Sequence, residues 1–512
     1  MSARHIGTEA RVAWLLATTR ILHPDQEITH RERFVAALRE RGVSVDNTRI
    51  SRWESGTQAA SQAAIRGYEE VLGLGQGSLA AVTMGLRRTF GENGYQHHYS
   101  PERHDDAGDL DHLLDAVLTE QAHGVHWQRL AAELTAYDRV FLREQEWQDL
   151  STRLVRELSR SVGLGYVRRY EAAATLIRHP SAQRFVSMAI GQFVMDEDTQ
   201  VIGPVLRLYS EVSDPVASSL VLRMLSSDSK GLRRAASSVA AAKLRLGHFP
   251  ESSMQALEMY AATAIRSSKP LDGGLDAFDL AMQLPFQNFE AVMAAARDRR
   301  VQRQLGEARS TGELVSRNAA ARVVADLAVA VQNDTDGPRH SEPDMMMRRL
   351  LREALFHNHK MRRDHAAMLL TASPYRLAVS RQCQQLIGVS DYFLAARAWA
   401  LLMKVGLAGR RPEIAMRALT EVRPTLQARA LVNLGLSDEP ISPGEARAIL
   451  NQVSPDSRGS VRAATLFALG MSGAPEIEKC AVHEEDWYSR AAIWWMKQGP
   501  ALHEPELLPG EA

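Results

Sequence analysis

The sequence predicts an all-α protein, with an N-terminal helix-turn-helix unit followed by an α-solenoid-like body of helical repeats. Three observations carry this expectation. Alanine, leucine, arginine and glutamate dominate, and apolar residues recur three and four apart, with no strand-period stretch of any length. Near the start, two short helical patterns with polar starts and glycine stops are separated by a turn. In the C-terminal half an Arg-Ala pair recurs at Arg397, Arg429, Arg462 and Arg490, roughly 30 residues apart, the period of stacked helical hairpins.

Each element can be justified in chain order. Thr29, with Glu32 three residues on, reads as a capping box that opens a helix whose buried face is Phe34, Ala37 and Leu38. Gly42 stops it, because glycine tolerates the left-handed conformation of a helix end. Asp46 caps a second helix, Asn47 to Glu54, with Ile50 and Trp53 inward and Gly56 as its stop. A further helix starts at Ser61 and buries Ile65, Tyr68, Val71 and Leu72. The polar stretch Gly91 to Asp111 reads as a linker. An amphipathic helix is expected next, with Trp127, Leu130, Leu134, Tyr137 and Phe141 on one face. Gln332 to Asp344, with Gly337, Pro338 and Pro343, reads as a loop. Asp214-Pro215-Val216 and Val461 to Gly470 resemble HEAT-repeat helices, and further Arg-Ala pairs stand at Arg417 and Arg447. The expected division is a head at 1–95, a linker at 96–115, a helical domain at 116–330 that is a candidate for dimerisation, and HEAT-like repeats at 345–512.

Composition narrows the function classes. The chain has 512 residues and 61 cationic against 61 acidic side chains, so any affinity for nucleic acid must come from a local patch. Only seven of the cations are lysines, so most positive charge sits on guanidinium forks suited to phosphate or guanine. Two distant cysteines, Cys383 and Cys480, make neither a disulfide framework nor a zinc pattern and suit a reducing cytoplasm. No signal peptide and no membrane span is visible. Phosphate-loop, nucleophile-elbow, zinc-protease and dinucleotide-turn motifs are absent, Gly163-Leu164-Gly165 lacking a third glycine, so no enzyme and no cofactor is expected. His97 and His98, and His357 and His359, suggest metal pairs. Glu353 lies about one helical turn before His357, and Glu102 follows His98 at that spacing but across Pro101; no third ligand is evident at either place, so no metal is expected. Asp364-His365 has no nucleophile tied to it, and His483 to Asp486 reads as a solvated turn. Trp494 or Trp495 is expected to close the last repeat.

The chemistry lies in the second short helix. A helix presenting small polar and basic side chains from its N-terminal end suits a DNA major groove, and Asn47, Thr48, Arg49 and Arg52 are its outward residues. Asparagine can pair with adenine, arginine with guanine, and a threonine methyl can touch thymine. Ser55 and Thr57 suit phosphate oxygens. Residues 28–66 hold seven arginines and four acids, a modestly positive patch.

The run V-D-N-T-R-I-S-R-W-E-S-G, Val45 to Gly56, resembles the recognition-helix signature of the Cro/C1 repressor family, also called the xenobiotic-response-element family. I-R-G-Y-E-E-V-L-G-L, Ile65 to Leu74, is similar to the same family's next helix, and the resemblance covers roughly residues 8–75. It implies a five-helix head in which Asn47, Thr48 and Arg52 read bases and Ser55 and Thr57 contact the backbone. It places Arg31 at a phosphate-contacting position and pairs Glu54 with an arginine of the first helix, Arg20 or Arg11. Leu38 to Val45 is several residues longer than the family's usual turn, which leaves room for a longer scaffold helix or a small loop.

The expected function is therefore a DNA-binding transcription regulator: a homodimer on an inverted repeat of double-stranded DNA, dimerising through its body, which senses a small molecule, peptide or protein. The alternative is a helical-repeat scaffold tethered to DNA by its head. A third class, a HEAT-like fold acting on damaged bases, needs a catalytic carboxylate in a basic groove, and no cluster demands one.

Overall fold

The computed structural model describes residues 6–91, 107–119, 122–266, 275–335, 342–409, 411–453, 457–482 and 486–504. Most of the expected linker lies outside these, as do His97, His98, Pro101, Glu102 and His483 to Glu485. Among the described residues the chain is all-helical, with two isolated bridges, Ser161 to Leu502 and Glu313 to His357, in place of any sheet. No described helix is long and apolar enough to cross a membrane.

The head holds six helices: α1 (Thr8–Ile21), α2 (Gln26–Thr29), α3 (Arg31–Glu40), α4 (Asn47–Ser55), α5 (Gln62–Val71) and α6 (Ala80–Phe90). Several starts are those that short polar caps dictate. Asp46 accepts from the Arg49 amide at 2.7 Å and Ser61 from the Ala64 amide at 3.1 Å. The capping box at Thr29 does not form. Thr29 ends the single turn α2, where its hydroxyl donates to the Gln26 carbonyl, and His30 precedes α3 instead. The long turn after α3 is a small loop. Gly42 takes the left-handed conformation (φ 79°), and Val43 lies over Gly67 of α5, where a Cβ would meet its Cγ2 at 2.8 Å. The extra residues thus add Val43 and the buried Val45 to the core.

The body is a solenoid-like stack. Asp214, Ser229, Asp298, Ser316, Asp344, Asp391 and Ser442 each cap a helix with the side chain. In the C-terminal half, Lys360–Ala372, Tyr392–Val405, Pro424–Gly435, Gly459–Met471 and Trp487–Gln498 pack successively as one layer, with Arg376–Leu386, Arg411–Thr420 and Pro443–Gln452 between them. Of the recurrent arginines, Arg397, in one layer helix, donates to the Ala354 and Leu355 carbonyls at the end of Met345–Phe356. Arg411, outside the Arg-Ala set, does the same for the Glu439 and Pro440 carbonyls. Small residues set the spacing: a Cβ on Gly435 would lie 2.7 Å from the Ala468 backbone, and one on Gly470 would enter the Trp495 ring. Both Trp494 and Trp495 are buried. In the N-terminal half, the helix at Trp127 is shorter than expected. It spans Gly124–Thr135 and buries Trp127, Leu130 and Leu134, whereas Tyr137 and Phe141 lie past its end and are exposed.

The segment up to Glu504 returns to the first half of the body. Glu504 ion-pairs with Arg168 at 3.0 Å and with Arg169, in a cradle that only glycines at 124 and 165 leave open.

The head is docked on the body. Arg11 makes two hydrogen bonds of 2.7 Å to the Glu353 carboxylate, both groups buried, and Arg349 adds a third donor at 3.0 Å. Trp14 donates to Asp344 at 2.9 Å and stacks on Tyr375, which donates to the same carboxylate. Arg88 of α6 pairs with Glu171 and Glu211. The apolar core of the head runs without a break into that of the C-terminal half of the body.

Burial alone would raise the Glu353 carboxyl, but hydrogen bonding and charge from Arg11 hold it down at about 2, against an ordinary glutamate value of about 4.3. A depressed folded pKa gives stability that is present above the ordinary value and lost as pH falls toward the folded one. The melting-temperature gap between the wild type and Glu353→Gln is therefore expected to be widest near neutrality and to narrow between about pH 5 and pH 3. Thermal unfolding by circular dichroism across that range checks it, and a pH-independent gap would contradict the assignment.

Candidate nucleic-acid interface

Helix α4 divides its side chains cleanly. Ile50 and Trp53 are buried, at 0% and 6% exposure. Asn47, Thr48, Arg49, Arg52 and Ser55 are exposed, as is Thr57 just beyond. A nine-residue helix has little stability of its own, so its ends and buried face must hold it. Asp46 fixes the start, and Gly56 (φ 73°) fixes the end, returning the Thr57 amide to the Arg52 carbonyl. Gly56 is also a contact point: its Cβ position lies 3.2 Å from Cα of Ala10 on α1.

Glu54 is the hub beneath this helix. It accepts from Arg20 Nε and Nη2 at 2.7 and 2.8 Å and from the Tyr68 hydroxyl at 3.2 Å. Burial, then the Glu54 charge, pushes the Tyr68 phenol up, so it stays protonated and donates. Tyr68 meets Phe34 edge-on at 4.7 Å, and Arg20 lies over the same Phe34 ring. One buried carboxylate thereby ties α1, α4 and α5 together, with α3 held through Phe34. Of the two candidates for its arginine, Arg20 is the partner, while Arg11 faces the body. Neither the Tyr68 contact nor the Arg11 dock was read from sequence, since both depend on residues distant along the chain.

The structure brings six of the seven predicted site residues to one helix and its C-terminal turn, and the seventh close to it. The side chains of Asn47, Thr48 and Arg52 have no hydrogen-bond partner among the described residues, and Arg49 reaches back to the Ser44 carbonyl at 2.8 Å. Ser55 and Thr57 lie 3.0 Å apart, and both hydroxyls reach the Arg52 carbonyl, so they stiffen the helix end as well as facing solvent. Arg31 begins α3, is half exposed, and sits 3.6 Å from Glu54. Arg33, Arg39 and Arg41 are further exposed cations of the head, which the motif does not single out but the local charge count includes. The outward row offers an amide, a hydroxyl and two guanidinium forks, groups able to pair with base edges or phosphate oxygens. The body grips α1 through Arg11 and Trp14, while α4 lies against Ala10 and Ala13, so docking leaves this row uncovered.

Structure and surface chemistry are separable here. Glu54→Ala strands the buried Arg20 and is expected to destabilise the protein by about 3–5 kcal/mol. Arg52→Ala removes an exposed side chain and is expected to change stability by less than about 0.5 kcal/mol. Urea denaturation of both variants measures the contrast. Equal losses would mean that the Arg52 side chain also serves the fold.

Neither a family model nor a curated protein matches the chain. Six chains of solved structures match. One is described as "Structural Basis of Tubulin Recruitment and Assembly by Microtubule Polymerases with Tumor Overexpressed Gene (TOG) Domain Arrays". It is 11% identical, covers 76% of this chain and 92% of its own, and superposes with a TM-score of 0.22. A superposition that loose carries no argument about this protein.

Proposed function

We propose that the protein is a sequence-specific DNA-binding transcription regulator that inserts α4 into the major groove of double-stranded DNA. One observation carries this reading. The polar and cationic row Asn47, Thr48, Arg49 and Arg52 is exposed on a short helix whose caps and apolar face are fully engaged. The likeness of Val45 to Gly56 to the Cro/C1 recognition helix supports it. In this reading Asn47, Thr48 and Arg52 read bases, and Arg31 and the Ser55–Thr57 turn set register on phosphates.

A single module of this size makes few contacts, so the reading includes a homodimer on an inverted repeat. The docked head gives the body a direct role in that arrangement. With α1 and α6 fixed to it, the distance and angle between two α4 helices would follow from how two bodies meet, and an effector acting on the body would be felt at the DNA.

The test is recovery and sequencing of genomic fragments bound by the purified full-length protein, followed by affinity measurements on the enriched site. An inverted motif with half-sites about one DNA turn apart is expected. Asn47→Ala/Arg52→Ala is expected to weaken specific binding roughly 30-fold or more, with unchanged melting temperature. Arg31→Ala is expected to weaken binding to all sequences and to flatten the log–log salt dependence by about one phosphate contact. Fragments with no common motif, or a double variant that binds like the wild type, would refute the reading and favour a scaffold role for the body.

A further inference from the structure

Where the two halves of the body meet beside the head, the helices leave a small cleft of about 30 Å³. Its walls come from Arg207 and from the helices Lys230–Arg245, Leu275–Gln283 and Lys360–Ala372. That is room for a small polar group rather than for a whole ligand, and charged side chains line it. Arg207, Arg245 and Lys360 face it together with Asp279 and Asp364.

Both carboxylates are already engaged within the wall. Asp364 accepts from Arg207 at 3.1 Å and from Lys360 at 2.9 Å. Asp279 accepts from Arg363 at 2.7 Å. Arg245 has no ion pair among the described residues, and its guanidinium lies 4.8 Å from the centre of the Phe90 ring. Arg362 covers the same ring at 3.8 Å. The crowding of cations registers on His359: burial, then the charges of Arg245, Arg363 and Arg309, pushes it down to about 3, so it is neutral near pH 7. Cations in excess of carboxylates, held partly out of water, create a positive potential that a bound anion relieves.

We propose that this cleft binds the phosphate group of a small ligand. A phosphate presents several acceptor oxygens and can take donors from Arg207, Arg245 and Lys360 at once, with the Ser238 hydroxyl as a neutral fourth. An apolar ligand would find mainly Ala241, Ala242 and Met361. The site also adjoins the head, because Phe90 is the last residue of α6 and packs edge-on against His365 as well as under Arg245. A phosphate that draws Arg245 into the cleft weakens its hold on Phe90, which gives the site a route to the seating of the head. That consequence rests on the DNA-binding reading, whereas the anion site does not.

Unfolding temperature of the full-length protein, titrated with inorganic phosphate and with glycerol 3-phosphate against chloride at matched ionic strength, tests the site. The wild type is expected to show a saturable rise with at least one phosphate probe. In Arg245→Gln, which removes an exposed side chain, the midpoint is expected to move to about tenfold higher concentration. Lys360→Gln is expected to do the same, with circular dichroism confirming that both variants fold. Saturation with phosphate alone identifies the free ion as the ligand, and saturation only with glycerol 3-phosphate identifies a phosphomonoester. Asn47→Ala/Arg52→Ala is expected to keep the full response, so failure of DNA binding leaves this result standing. A response no larger than that of chloride, or an unchanged midpoint in Arg245→Gln, overturns the proposal.

Discussion

The bidentate contact between Arg11 and Glu353 is the constraint on which the arrangement of the molecule depends. Two ions withdrawn from water lose hydration that their attraction restores only when the geometry is good and the remaining hydrogen-bonding capacity is used. Here the two terminal guanidinium nitrogens meet the two carboxylate oxygens at 2.7 Å and Arg349 supplies a further donor to the carboxylate, while Arg11 Nε is buried with no partner among the described residues. Sliding or rotating the head would separate two buried charges, so one seating satisfies the interface. Asp344 reinforces it by a different route. Its carboxylate caps the helix Met345–Phe356 while accepting from Trp14 and Tyr375, so the start of a body helix and the attachment of the head share one side chain.

The same economy runs through the body. Helix ends that a neighbouring helix would leave without water are closed by side chains from adjacent helices. Arg376 and Ser380 reach the carbonyls of Val405 and Gly406, and Arg397 those of Ala354 and Leu355. Glycine and alanine at the crossing points let the layer helices approach until backbone meets backbone, as at Gly435 and Ala468. The result is a stack whose units are held by nearest neighbours, which Glu504 then ties back to its first half.

Much of the head was legible because its signals are local. An acidic cap before Asn47, a glycine after Ser55 and an apolar pair three apart define α4 with little help from the rest of the chain. The outward row follows from the same periodicity. Local signals misled where two readings shared them. Thr29 and Glu32 have capping-box spacing, but Thr29 is taken up by the turn before it. Tyr137 and Phe141 continue the apolar period of Trp127 and Leu130, yet the helix stops at Thr135 and leaves them outside. A hydrophobic period shows which face would be buried if a helix continued, and whether it continues depends on what is there to cover it.

The sequence by itself determined that the chain is helical, where its best-capped helices begin, which residues of α4 point outward, and that the C-terminal half repeats. All of these follow from spacings of a few residues or from a recurring one, which backbone geometry converts directly into faces and stacks. Only the tertiary structure decided that Glu54 takes Arg20 and Tyr68, that Arg11 crosses to Glu353, and that cations from separate helices converge on one cleft. Those pairings join residues tens to hundreds of positions apart. A charged side chain carries no mark of which opposite charge it will meet, because only the packing of the intervening helices brings the two together and removes the water between them.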